Sequence, residues 1–192
     1  MSDHEEVENR KGALEIQNVV ASTAIRQELD LESVAMDLEG ADFNPDQFPG
    51  LVYRVQDPHA AALIFRSGKI VCTGAKSVPD VHEAIKIVFE TLSNLGIEVA
   101  ESPDIEVQNI VSSGDLGETL NLNAIAIGLG LEDVEYEPEQ FPGLVYRLDE
   151  PDVVALLFGS GKTVITGGKE PEDAEAATEV LISKLTDLNL LR

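Results

Sequence analysis

The chain has 192 residues, 43% hydrophobic and 26% charged, which excludes a disordered chain and suits one large core or two of about 90 residues each. Its 36 acidic and 13 basic residues leave a formal charge of −23, more than solubility asks of a small domain and, as a bulk figure, adverse to a polyanionic partner. A single cysteine, Cys72, excludes an internal disulfide, His4, His59 and His82 lie in no metal-ligand spacing, and no uncharged apolar run reaches the roughly 18 residues of a membrane span.

In chain order, residues 1–12 are polar and acidic, carry no apolar stretch of a secretion signal, and are expected to form a frayed acidic tail. Residues from Glu15 to Thr23 predict a strand, and Leu31 to Leu38 a short amphipathic helix. Three strand-like runs follow: Leu51 to Val55, Ala60 to Arg66 and Lys69 to Thr73. Ser67-Gly68 joins the last two, where a tight hairpin needs a residue tolerant of positive φ. A longer helix, opened by Pro79 and closed by Gly96, carries Val81, Ala84, Ile85, Val88, Phe89, Leu92 and Leu95 on one stripe.

The same succession then repeats. Gln47 to Arg54 recurs letter for letter as Gln140 to Arg147, an offset of 93, and the match carried through Lys76 and Lys169 holds 19 identities in 30 positions. Upstream, Ile16 to Ser22 pairs with Val107 to Ser113 at an offset of 91. The second copy therefore holds a strand from Glu106 to Ser112, a helix from Leu120 to Leu129, a hairpin at Ser160-Gly161 and a final helix after Pro171. Two repeats are expected, at residues 13–102 and 103–192, each α+β with antiparallel strands and helices gathered on one side.

Alternation places Asn18, Val20 and Ser22 on one face, with Leu63, Phe65, Val71 and Thr73, and turns Val19, Ala62, Ile64, Ile70 and Cys72 to the other. Both faces are largely apolar, and four helices suffice to cover one. The other is then an interface, unless the helices divide between the faces or two chains stack. Four of the six phenylalanines fall at repeat-equivalent positions, Phe48 with Phe65 and Phe141 with Phe158. They serve either as core anchors or as wedges between stacked planar groups. Charge favours the wedge. The two matched blocks carry a net +3 while the rest of the chain carries −26, the segregation that polyanion binding through the sheet requires.

Gly159-Ser160-Gly161-Lys162-Thr163 imitates the end of a phosphate-binding loop, but Leu156 stands where that motif needs glycine. With no Ser/His/Asp set, Cys/His pair or repeated carboxylate dyad, the sequence is read as non-enzymatic and as needing no cofactor or metal.

The duplicated Gln-Asn-hydrophobic-Val strand, the Phe-Pro-Gly-Leu-Val-Tyr-Arg block and the Phe-x-Ser-Gly-Lys-x-Val-x-Thr-Gly-x-Lys hairpin resemble the TATA-box-binding protein family over about residues 13 to 190. The acidity resembles that of archaeal members from a salt-accumulating cytoplasm, which implies a cytoplasmic, nucleoid-associated protein. The resemblance implies an α+β saddle of two repeats, a curved antiparallel sheet of about ten strands with four helices on its convex face. It implies a transcription initiation factor that binds and bends A·T-rich double-stranded promoter DNA through the minor groove, as a monomer on DNA, with self-association of the free protein left open.

By position, Phe48, Phe65, Phe141 and Phe158 match the family's wedges. Asn18, Asn109, Val20, Val111, Leu63, Leu156, Val71, Val164, Thr73 and Thr166 match its base contacts. Arg54, Arg147, Ser67, Ser160, Lys69, Lys162, Lys76 and Lys169 match its phosphate contacts. Glu135, Glu137 and Glu139 match the loop that binds transcription factor B, through which RNA polymerase is recruited indirectly. Gln140 and Asp46 depart from the family's common pattern, standing where an apolar and a basic residue are expected. A near-symmetric protein fits an A·T-rich element in either orientation, so polarity is expected to come from the partner. The rival readings are a DNA-incompetent saddle-domain scaffold for other proteins and a ligand-binding or hydrolytic enzyme of similar build.

Overall fold

A computed structural model describes residues 2–192 and divides them into two compact units, residues 18–108 and residues 2–17 with 109–192. Strand β1 (Glu15–Ala24) leads to helix α2 (Leu31–Asp37), strands β2 (Leu51–Val55), β3 (Ala60–Ile64) and β4 (Lys69–Ala75), and helix α3 (Val78–Asn94). The succession returns as β5 (Glu106–Asp115), α4 (Leu122–Leu129), β6 (Val134–Glu135), β7 (Leu144–Leu148), β8 (Val153–Leu157), β9 (Lys162–Gly168) and α5 (Pro171–Asp187). Helix α1 (Asp3–Gly12) precedes them all. The strand order is β2-β3-β4-β1 in the first repeat and β5-β9-β8-β7-β6 in the second, with antiparallel pairing throughout the described registers.

The described residues thus hold five helices and nine strands, against the four and about ten expected. The extra helix is α1. Asp3, Glu5 and Glu6 lie in its first turn and Arg10 and Lys11 in its last, the arrangement that favours a helix dipole. Val7 packs on the core of the second repeat, Lys11 pairs with Glu179 of α5, and Arg10 donates to the carbonyl of Arg192 at 2.6 Å. The missing strand has an equally local cause. Where the second repeat pairs Val134 and Glu135 with β7, the first keeps a single bridge between Asp42 and Val52.

In the first repeat, Val19, Ala21, Ala62, Ile64, Ile70 and Cys72 are buried together with the α3 stripe of Val81, Ala84, Ile85, Val88, Phe89 and Leu92. Burial pushes the Cys72 thiol up to about 11, which leaves it protonated and unreactive. Asp30 caps α2 by accepting from Ser33 through both Oγ, at 2.9 Å, and the backbone N–H, at 3.3 Å. These bonds hold its carboxyl below the usual carboxylate range. The cap's contribution is therefore present above that range and is lost as pH falls through the lowered value. In the second repeat, Leu144, Ala155, Leu157 and Ile165 are buried with Ala177, Leu181 and Leu185 of α5 and Ile125 of α4.

One buried group is unsatisfied among the described residues: Thr23 is 6% exposed and its Oγ1 has no hydrogen-bond partner. The second repeat has Gly114 at the equivalent place. Thr23→Val exchanges a dry hydroxyl for a methyl of the same shape and is expected to add about 1 kcal/mol of stability. Thermal unfolding would show Tm rising by a few degrees, and a fall would mean the hydroxyl is bonded in solution.

Candidate nucleic-acid interface

Strand period and pairing register build the same uncovered face twice. In the first repeat Val52, Leu63, Val71 and Ser22 lie opposite one another across β2, β3, β4 and β1. In the second, Val145, Leu156, Val164 and Ser113 make the equivalent row across β7, β8, β9 and β5. All eight are partly exposed, whereas their neighbours along each strand are buried, apart from Tyr53 and Gly114, which are also partly exposed. One face of each sheet is therefore left open, as alternation predicts. Val20 and Val111 are partly exposed on the same face. Val52, Val145, Ala61 and Val154 were not among the candidate residues. The register with Leu63, Leu156, Thr73 and Thr166 brings them in.

A second row is polar at its inner end. Arg54, Ala61 and Thr73 lie in register, and Thr73 meets Asn18, whose Nδ2 donates to Thr73 Oγ1 at 3.2 Å. Between Val19 and Ala21 the β1–β4 register slips by one residue, and Gly74, at φ +93°, donates its N–H to Asn18 Oδ1 at 2.7 Å. The bulge turns a backbone donor onto the side chain, and the positive φ there suits glycine. The second repeat reproduces the arrangement: Asn109 Nδ2 donates to Thr166 Oγ1 at 3.2 Å, and Gly167 N donates to Asn109 Oδ1 at 2.7 Å. In each repeat the carboxamide oxygen is thus tied to the backbone, and its NH2 gives one hydrogen to the threonine and keeps the other to serve a ligand as donor.

The phenylalanines pair as the sequence suggests. Phe48 and Phe65 meet edge to face with centroids 5.9 Å apart, and Phe141 and Phe158 at 6.0 Å. Phe48 is 38% exposed and Phe141 41%, so neither is a core anchor. Glycine makes room for each pair. A Cβ at Gly50 would lie 2.8 Å from Phe48 and 3.0 Å from Phe65, and one at Gly143 would lie 2.7 Å from Phe141 and 3.0 Å from Phe158. Phe-Pro-Gly is thus one unit, whose glycine admits both rings.

Cationic and hydroxyl groups surround these rows. Arg54, Arg147, Lys69, Lys162, Lys76, Lys169, Ser67 and Ser160 are all exposed. Ser67 and Ser160 each accept from the N–H of the lysine two residues on, at 3.4 Å, within hairpins whose Gly68 and Gly161 have φ of +90° and +94°. An open groove of about 490 Å³ beside Phe158 is lined by Ala13, Ser113, Asp115, Ser160 and Lys162 among others. Of the acidic candidates, Glu135 lies on β6, and Glu137 and Glu139 are exposed in the turn before Phe141, the Glu137 carbonyl accepting from the N–H groups of Gln140 and Phe141. Among the described residues no group of His, Cys, Asp and Glu is placed to hold a metal ion, and no helix is long and apolar enough to cross a membrane.

Known proteins are similar to this chain over most of its length. Residues 13–95 and 104–188 match the family model described as transcription factor TFIID, or TATA-binding protein. The chain is 73% identical over 181 residues to the TATA-box-binding protein of Haloarcula marismortui, covering 94% of this chain and 97% of that one. It is 74% identical over 181 residues to TATA-box-binding protein 1 of Haloferax volcanii, covering 94% and 96%. The solved structure of Methanococcus jannaschii TBP superimposes with a TM-score of 0.81 at 54% identity, covering 91% of this chain and 98% of that one. That likeness carries the expected two-repeat α+β saddle fold class. With both copies of its open face inside the matched residues, this chain belongs to the TATA-box-binding protein family.

Proposed function

We propose that the open faces bind A·T-rich promoter duplex in the minor groove and bend it, and that the protein acts in transcription initiation without enzymatic activity. The observation that carries this reading is the twin arrangement of a phenylalanine pair standing over glycine beside an asparagine whose NH2, with one hydrogen on a threonine hydroxyl, keeps its second hydrogen to give. The minor groove shows the same acceptors for A·T and T·A and a guanine amino group for G·C. An amide donor among valines and leucines suits the first and is obstructed by the second. Kinking by apolar wedges, for which this family is a type example, needs rings with open sides. The similarity to TATA-box-binding proteins of Haloarcula marismortui and Haloferax volcanii supports a TATA element as the target.

Exposed Arg54, Arg147, Lys69, Lys162, Lys76 and Lys169, with Ser67 and Ser160, are assigned to phosphates. Glu135, Glu137 and Glu139 are assigned to transcription factor B, which brings RNA polymerase. The protein works in the cytoplasm, on the nucleoid, as a monomer on DNA.

A chain of charge −23 binds DNA only where its distant carboxylates are screened, and at about 1 M salt the Debye length is about 3 Å. Binding is therefore expected to need high potassium, with acidic rim groups taking up cations. A duplex carrying an A·T-rich element, labelled at its ends for energy transfer and titrated in KCl from about 0.1 to 3 M, tests the reading. Element-dependent binding with end-to-end shortening is expected. Affinity that falls steeply and monotonically with salt would refute the cation requirement, and no binding at any salt, with transcription factor B present, would favour the scaffold reading.

A further inference from the structure

When the screening length shrinks to about 3 Å, bulk charge no longer decides how a phosphate is received. The groups in contact with each rim cation decide, and these differ between the repeats. In the first, Lys69 faces Ala24 across the β1–β4 pair. Asp42, bridged to Val52, forms no ion pair with Arg54 among the described residues.

In the second repeat, Asp115 takes the place of Ala24 and faces Lys162 across the β5–β9 pair, where opposed Cβ atoms lie about 4.5–5.5 Å apart. The Gly117 N–H donates to Asp115 Oδ1 at 2.8 Å, which holds the carboxylate at the strand end, in the groove shared with Lys162, Ser160 and Phe158. Glu135, at the position of Asp42 and one methylene longer, reaches Arg147 Nη2 at 3.8 Å. Two of the three rim cations of this repeat, Arg147 and Lys162, therefore have a carboxylate for a neighbour.

We infer that Asp115 and Glu135 give the protein an orientation preference of its own on DNA, independent of any partner. The inference rests on the DNA-binding reading. A phosphate arriving at the first repeat meets Arg54 and Lys69 unopposed. One arriving at the second must draw Arg147 from Glu135 and lie beside Asp115. The two halves of an asymmetric A·T element are unequal as well, since a stiff A-tract has a narrower and more negative minor groove than a half made of flexible TA steps. The A-tract half is better received by the first repeat, so one orientation is favoured and polarity does not come from a partner alone.

The test uses the full chain with Glu90→Cys, an exposed position on α3, carrying an acceptor dye, while buried Cys72 stays unlabelled. A donor sits at one end of a duplex containing 5′-TATAAAAA-3′, and single-molecule energy transfer in molar KCl counts the two orientations. The expected ratio is roughly three- to tenfold in favour of the A-tract at the first repeat. D115N keeps an acceptor for Gly117, and E135Q lies on an exposed side chain. Each is expected to reduce the ratio, the pair together bringing it close to one, and A24D in the otherwise natural chain is expected to reduce it too. Equal populations for the natural chain, or a ratio unchanged by D115N with E135Q, would overturn the inference while leaving DNA binding intact. No complex at any KCl concentration would instead overturn the DNA-binding reading.

Discussion

Phe158→Ala is expected to weaken binding to a straight A·T-rich duplex by about 30-fold, near 2 kcal/mol, and to a duplex already kinked at the same step by only about threefold. The difference follows from what a wedge does. Phe158 stands edge to face against Phe141 over a Cβ-less Gly143, so the pair is a prebuilt apolar edge rather than a flexible contact. On straight DNA that edge must compensate for unstacking a base step, whereas on kinked DNA the step is already open and the ring contributes only its residual contact. Lys162→Ala supplies the contrast, because a phosphate contact is worth the same on both duplexes and its loss should lower the two affinities in parallel. Equal losses for Phe158→Ala on straight and kinked DNA would reduce the ring to an ordinary contact. Since the exposed ring of Phe141 and the partly exposed ring of Phe158 contribute little to the core, thermal unfolding of the variant should shift only slightly.

Much of this site is legible in the chain because duplication and strand alternation are both periodic signals. The offset of 93 pairs Phe48 with Phe141 directly, and period two puts Asn18, Val20 and Ser22 on one face from sequence alone. What escapes is set by register and by tertiary contact. Val52 and Val145 join the apolar rows only because β2 and β7 align with Leu63 and Leu156, and no local pattern encodes that alignment. The bulge at Gly74 reads in sequence as a weak spot in a strand, and its use, turning an N–H onto Asn18, appears only once β1 lies beside β4. Helix α1 has a single apolar anchor, Val7, so its composition is that of a tail, and Glu179, Glu118 and Arg192, far along the chain, supply its docking contacts. Unequal partners for equal cations, Asp115 against Ala24, also pass unnoticed while the repeats are read for what they share.

Asn109→Asp is expected to abolish DNA binding, by at least about 100-fold, while leaving the fold close to its natural stability. The natural carboxamide faces two ways. Its oxygen accepts from the Gly167 N–H at 2.7 Å, and its nitrogen donates to Thr166 Oγ1 at 3.2 Å with a second hydrogen to give. Asp keeps the acceptor that the bulge needs, and the Thr166 hydroxyl turns to donate toward it, so the backbone N–H stays satisfied. What changes is the outward end, where a donor becomes an anionic acceptor set against the acceptor atoms of the minor groove, in a site from which binding removes water. Asn109→Ala separates the roles in the opposite sense. It removes the acceptor from the bulge, and is expected to lower stability by about 1–2 kcal/mol while weakening DNA binding less than the carboxylate does. Unfolding curves and Kd values for the two variants, with Asn18→Asp as the first-repeat counterpart, should therefore rank in opposite orders. A carboxylate variant that binds A·T-rich DNA as well as the alanine variant would mean that these asparagines serve the bulges alone and present no donor to the bases.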